Sequence, residues 1–290
     1  MKTLLFFLLF LLGTANVFSQ QQTQVITRQY ERTISVKEGD NLEIKGEKAR
    51  ITVESHPHNE VVLQVKFTAR HTDKVTGETE LDYMRYTVQE RKGTIYIDNY
   101  FAIPKKITQV NSNLQAELLI KVPSGMAINL YNYFGSTAIT NLSGALGISS
   151  EYGLLNVENC SGPISIDVTF TELKIKHCRN IDIRGSNSDV RATLLTGNID
   201  FSGENSDIDI QSAGTITGNI EVQNGDVTLS GIKLTQQSIE LTSAHGEIEV
   251  PAPLSVIDGN ENSRVYFQPN QSLPLFKVNS SFGKIQIIKG

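Results

Sequence analysis

From Thr137 onward, short strands of the form apolar-x-apolar return at a nearly constant interval. That beat limits what the chain can fold into more than any other feature. The pairs are Thr137-x-Ile139, Leu155-x-Val157, Leu173-x-Ile175, Val190-x-Ala192, Ile208-x-Ile210, Val227-x-Leu229, Ile248-x-Val250, Val265-x-Phe267 and Ile285-x-Ile287. Their first members lie 18, 18, 17, 18, 19, 21, 17 and 20 residues apart. Between them runs a second series, Ile166, Ile183, Phe201, Val222 and Leu241, at 17, 18, 21 and 19. Gly135, Gly153, Gly225, Gly246 and Gly283 stand just before first-series strands, while Gly144, Gly162, Asn180 and Gly197 mark the other corner. Gly and Asn tolerate the positive φ that tight corners demand.

Two strands and two corners in about 18 residues describe one coil of a parallel β-solenoid. Such a coil cannot bury its apolar face alone, but coils stacked about 4.8 Å apart share one core. A β-sandwich with strands every nine or so residues gives similar spacing. It has no reason, however, to match side chains one full coil apart, and here they match. Phe134, Tyr152 and Phe170 are spaced by 18, as are Asn141 and Asn159. Leu142, Cys160 and Cys178 fall on the same interval. Glu158 to Lys176 and Arg191 to Asp209 place opposite charges beside each other, as neighbouring strands favour. The fold class expected is therefore all-β, a parallel β-solenoid with coils of about 18 residues. Leu155, Val157, Leu173, Ile175, Val190, Ile208, Ile210, Val227 and Leu229 should point inward, with Asn156, Lys174, Arg191, Asp209 and Thr228 outward.

Upstream the pattern is still β but irregular. Residues 20–122 alternate apolar and polar at Thr33–Val36, Leu42–Ile44, Ile51–Val53 and Val61–Phe67, with a hairpin expected at Tyr86–Ile97 around Gly93. Only Glu78 to Tyr86 hints at helix. At the start, Lys2 precedes an unbroken apolar run from Leu4 to Leu12, and Gly13–Asn16 ends it. The run falls short of the roughly 20 residues of a membrane span, so residues 1–19 read as a cleaved secretory signal. No further apolar run of membrane length follows. The organisation expected is a signal at 1–19, a β-rich segment at 20–122 continuous with the solenoid, and solenoid repeats at 123–290.

Val122-Pro123-Ser124-Gly125, followed by blocks such as Tyr152-Gly153-Leu154-Leu155-Asn156-Val157 and Gly246-Glu247-Ile248-Glu249-Val250, resembles the bacterial putative-adhesin domain family. Its members open on apolar-Pro-x-Gly and continue in Gly-x-Ile-x-Val coils. The resemblance spans about Ile34 to Ile287. It implies a β-solenoid in an exported envelope protein and carries no catalytic residues to transfer. Thr171 and Ser188 depart from it, standing where a corner Gly would be, and wider corners are expected there.

The chemistry-bearing residues are sparse. A net charge of −5 argues against nucleic-acid binding. His56-Pro57-His58 offers two imidazoles where zinc needs three or four ligands, and reads as an exposed turn. There is no phosphate-cradling glycine motif and no nucleophile elbow, and neither cofactor nor metal is expected. Phe134, Tyr152 and Phe170 read as a stacked ladder inside a corner rather than a sugar-binding stripe. Asp182, Asp200, Glu221 and Glu240 precede the second-series residues, so in-register stacking would align them as an outward acidic file, a weak candidate for divalent cations. Cys160 and Cys178 are a candidate disulfide, since 18 residues would bring their Cα atoms about 4.8 Å apart. The reading is a non-catalytic exported binding or scaffold protein of the cell envelope, adhesin-like, with a protein or glycan surface as partner. A periplasmic component of an envelope-stress system and a β-helical carbohydrate-active enzyme are the alternatives; the short coils leave little chain for a catalytic cleft.

Overall fold

The computed structural model describes residues 22–259 and 262–288, and the signal expected over residues 1–19 lies outside them. The fold is all-β, with strands paired in a mixed sheet and one short helix, Lys74–Leu81. That helix starts at Asp73, whose carboxylate accepts from Thr76 N at 2.8 Å. It covers only the first part of the Glu78–Tyr86 stretch that hinted at helix, because Met84–Arg91 pairs with Thr94–Phe101 instead. Lys92 and Gly93, both at positive φ, turn that hairpin.

Two stacks of strands face each other across one apolar core. In the first, Ser136–Thr140, Leu154–Glu158, Glu172–Lys176 and the leading parts of Val190–Glu204 and Ile208–Gln223 pair in parallel. Leu155 sits between Thr137 and Leu173, Val190 follows Leu173, and Ile208 and Val227 come next. Leu155, Leu173 and Val227 are buried, while Arg191 and Asp209 are exposed, the alternation a half-buried strand imposes. In the second stack, Ala127–Tyr133, Leu146–Glu151, Ile164–Thr169 and Arg179–Ser186 pair in parallel. The trailing parts of the two long strands continue it.

Strands from before residue 122 interleave with later ones. Ala49–His56 lies between Asn113–Pro123 and Ser136–Thr140, and Asn41–Glu47 between Thr94–Phe101 and Ala127–Tyr133. Beyond them the pairing turns antiparallel, in Gln24–Ser35 with Glu60–His71 and Glu60–His71 with Asn113–Pro123.

The other end departs from simple sequential stacking. Val227 pairs with Ile285, and Ile285 in turn with Ile248, so Ile285–Ile288 is inserted between two strands that precede it in the chain. Leu275–Ser281 is inserted likewise between the end of Ile208–Gln223 and Ser238–Ala244. Val265, read as the next inward residue of a parallel series, opposes Leu241 in an antiparallel pair. Interval counting cannot see this, because alternation is the same whichever neighbour a strand finds. The second series is also corrected by one step: Phe201 pairs with Ile220, and Val222 with Gly203. A slip of two residues keeps the same face inward, and Ile220 and Val222 are both buried.

Candidate functional site

The corners carry the most distinctive side chains. Along one of them a residue with φ near +50° to +60° recurs in every layer: Lys48, Phe134, Tyr152, Phe170, Asn187, Asn205, Asn224, Phe282 and His245. The backbone N–H of each of Phe134, Tyr152, Phe170, Asn187 and Asn205 donates to a carbonyl in the next layer, at 2.8–3.0 Å. The left-handed conformation costs a non-glycine residue on the order of 1–2 kcal/mol, and it turns each side chain out to solvent. Inward, the next residue is Ala49, Gly135, Gly153, Thr171, Ser188, Ser206, Gly225, Gly283 or Gly246.

Small inward residues are needed because the layers nearly touch there. A Cβ on Gly153 would collide with the Gly135 carbonyl oxygen, and one on Gly283 with that of Gly225. These glycines thus serve close approach, while the positive φ falls on the residue before them. Thr171 and Ser188 stand at the same place in their layers, where the sequence suggested wider corners. Their hydroxyls enter the hydrogen bonding: Ser188 Oγ accepts from Thr171 N at 3.1 Å, and Thr171 Oγ1 donates to Ser150 O at 3.1 Å. Ser206 Oγ accepts from Ser188 N at 3.2 Å.

Phe134, Tyr152 and Phe170 stack face to face, with centroids 4.9 and 5.1 Å apart and planes within 5° and 7°. They are 55%, 47% and 50% exposed, so the ladder stands outside the corner rather than within it. Each pair contributes about 0.5–1.5 kcal/mol, which offsets much of the backbone cost. Their faces cover one another and leave ring edges to solvent. Asn224 Nδ2 donates to Asn205 Oδ1 at 3.3 Å lower in the file, and His245 stacks on Phe282 with centroids 5.0 Å apart.

The opposite corner repeats the device with different side chains. Asn141, Asn159, His177 and Leu194 hold the positive φ there, each followed by a buried Leu142, Cys160, Cys178 or Leu195. Asn159 Nδ2 donates to Asn141 Oδ1 at 3.2 Å. Cys160 and Cys178 are thus brought together, buried, with both thiols free. The charge pairs read from the spacing also form: Lys176 Nζ lies 2.9 Å from Glu158, and Arg191 Nε 3.7 Å from Asp209.

The acidic file is not assembled. Asp182 pairs with Asp200, but Glu221 faces Ser202 and Asn279. Glu240 faces Lys277 and Tyr266, and binds Arg264 at 2.5 Å and Lys277 at 3.5 Å. The two-residue slip at Ile220 and the inserted strand Leu275–Ser281 separate the four. A different acidic run went unread, Glu172, Asp189, Asp207 and Asp226, each one residue before a first-series strand. Its signal was the same interval, one position earlier. Two of these carboxylates cap backbone: Asp207 accepts from Asp226 N at 2.9 Å and Asp226 from Lys284 N at 2.8 Å. His56 donates from Nε2 to Glu60 O at 2.7 Å and packs on His58. Among the described residues, no three His, Cys, Asp or Glu side chains converge on a metal position. No helix among them is long and apolar enough to cross a membrane, which says nothing of a β-barrel.

The model of the Toastrack DUF4097 family matches residues 31–258. The chain belongs to that family. The Toastrack match covers most of the region whose Val122–Gly125 and Gly-x-Ile-x-Val blocks carried the resemblance. Among solved structures, a putative adhesin from Bacteroides fragilis is 13% identical with a TM-score of 0.40, covering 91% of this chain and 97% of its own. A putative lipid binding protein from Parabacteroides distasonis is 14% identical, TM-score 0.37, covering 90% and 96%. A putative cell adhesion protein from Clostridium sporogenes is 12% identical, TM-score 0.30, covering 91% and 100%. At these scores the likeness carries no argument about what this Toastrack chain does. No curated protein matches it.

Proposed function

We propose that this Toastrack protein is an exported, non-catalytic binding scaffold of the cell envelope, adhesin-like, whose exposed corner file contacts a protein or glycan surface. In this reading its centre is a parallel β-solenoid, supported by successive pairings such as Leu155 with Leu173 and Val190 with Ile208. Residues 20–122 and 123–290 then form one continuous unit, as the interleaving of Ala49–His56 favours. The observation that carries the binding reading is the file from Phe134 to His245. Aromatic rings and amides held at strained backbone, half exposed and repeated once per layer, exceed what the core requires. A rigid ladder presents such groups at little entropic cost on binding.

The test is an array of extended polysaccharides and envelope proteins, probed with the wild type and a Phe134→Ala, Tyr152→Ala, Phe170→Ala variant. Binding by the wild type, lost in a variant that keeps its far-UV circular dichroism, supports the reading. Binding that survives in the variant, or no binding by either protein, removes the corner file from the function.

A further inference from the structure

The chain has only two cysteines among 290 residues, and the fold sets both in the same corner of consecutive layers. Glu158 pairs with Lys176, so Cys160 and Cys178, each two residues further on, sit roughly one strand spacing apart, about 4.8 Å. A disulfide needs Cα atoms about 4.4–6.8 Å apart. The two side chains are set alike, with Cys160 Sγ donating to Glu158 O at 3.4 Å and Cys178 Sγ to Lys176 O at 3.3 Å. Both point into the core. Neither residue lies within a strand, and the register shifts between Arg179 and Ile181, just past Cys178. The corner backbone therefore has slack to draw the Cβ atoms to the about 3.5–4.5 Å of a bridge.

We propose that Cys160 and Cys178 form a disulfide that cross-links adjacent layers when the protein folds in contact with a disulfide oxidant, such as oxidised glutathione or an oxidised thiol–disulfide oxidoreductase. The Cys160 thiolate attacks one sulfur of the oxidant, making a mixed disulfide and expelling the first thiolate. Cys178, deprotonated, then attacks the Cys160 sulfur, closes the bridge and expels the second. Two electrons pass to the oxidant, which leaves as two thiols that take up the two protons. Because the finished fold encloses both sulfurs, exchange takes place before the corner closes.

The experiment refolds the full chain from denaturant with oxidised glutathione, and in parallel with reductant. Expected are a product lighter by two hydrogens, no free thiol on denaturation, and a linked peptide joining Cys160 to Cys178. Its Tm should drop by roughly 5–10 °C when reductant is added, and a Cys160→Ala, Cys178→Ala variant should show no such response. Two free thiols, glutathione adducts alone, or disulfide-linked dimers would overturn the proposal. If the double variant does not fold, mass and peptide map of the wild type decide. The outcome is independent of what the exposed corner binds, so a missing bridge leaves the binding reading standing.

Discussion

The two corners solve one problem with opposite interiors. In both, a left-handed residue turns the chain and throws its side chain outward, Tyr152 in one and Asn159 in the other. Inward, the first corner takes only small residues, Gly153, Ala49 or a hydroxyl such as Ser188, whereas the second takes Leu142, Cys160, Cys178 and Leu195. One has hydroxyls such as that of Ser188 between its layers, the other adds apolar packing to its backbone hydrogen bonds. Outside the narrow corner stand the stacked rings together with the amides Asn187, Asn205 and Asn224, and outside the wide one Asn141, Asn159, His177 and Leu194. The difference teaches that glycine serves close approach at both edges, Gly153 in the narrow corner and Gly144 and Gly162 in the wide one, while only the narrow corner needs a small residue directly after the left-handed one.

Substitutions can break that contrast. The largest effect is expected for Gly153→Val, because its side chain would start inside the Gly135 carbonyl. Overpacking costs about 1–3 kcal/mol and more where backbone must move, so soluble expression should fall sharply. Gly125→Ala, with nothing within 4 Å of the added carbon, should leave it unchanged. In the wide corner, Leu195→Ala should cost about 2–5 kcal/mol in urea unfolding, the cost of a core cavity. If the two variants were equally mild, the interiors would not differ as described. Ser188→Ala strips Thr171 N of its acceptor inside the narrow corner and should cost about 1–3 kcal/mol. An unchanged denaturation midpoint would mean the hydroxyl ladder contributes nothing. The smallest effect has the opposite sign. Leu194→Gly relieves a leucine held at φ 56° and should stabilise by up to about 1 kcal/mol, visible as a slightly raised Tm.

What could be read in advance, and what could not, divides along physical lines. The neighbours of Leu155, Leu173, Val190 and Ile208 were legible because alternation and interval agree there, in the short strands and in the leading parts of the two long ones alike. The Phe201–Ile220 pairing was not, since a two-residue slip leaves every apolar side chain on its own face. Nor was the placement of Ile285 beside Val227, which depends on competition between distant strands. At the site, the adjacency of Cys160 to Cys178 and of Phe134 to Tyr152 followed from equal spacing. The exposure of the rings did not, because a phenylalanine at positive φ contradicts its own backbone preference and gives no local signal. For the same reason the turn was assigned to the glycine after it, and the capping role of Asp207 and Asp226 was missed.

The inserted strands Leu275–Ser281 and Ile285–Ile288 have a consequence for how the protein is made. Synthesis runs from the amino end, so Ser238–Ala244 exists before the strand that will separate it from Ile208–Gln223. A nascent chain that stops at residue 270 holds two mutually attractive edges with the intended occupant missing. Direct pairing of those edges would be a trap that the later strands must reopen. Maturation of this end therefore waits on strands translated after those they separate, and its rate is set by long-range encounter rather than by layer-upon-layer growth from the middle.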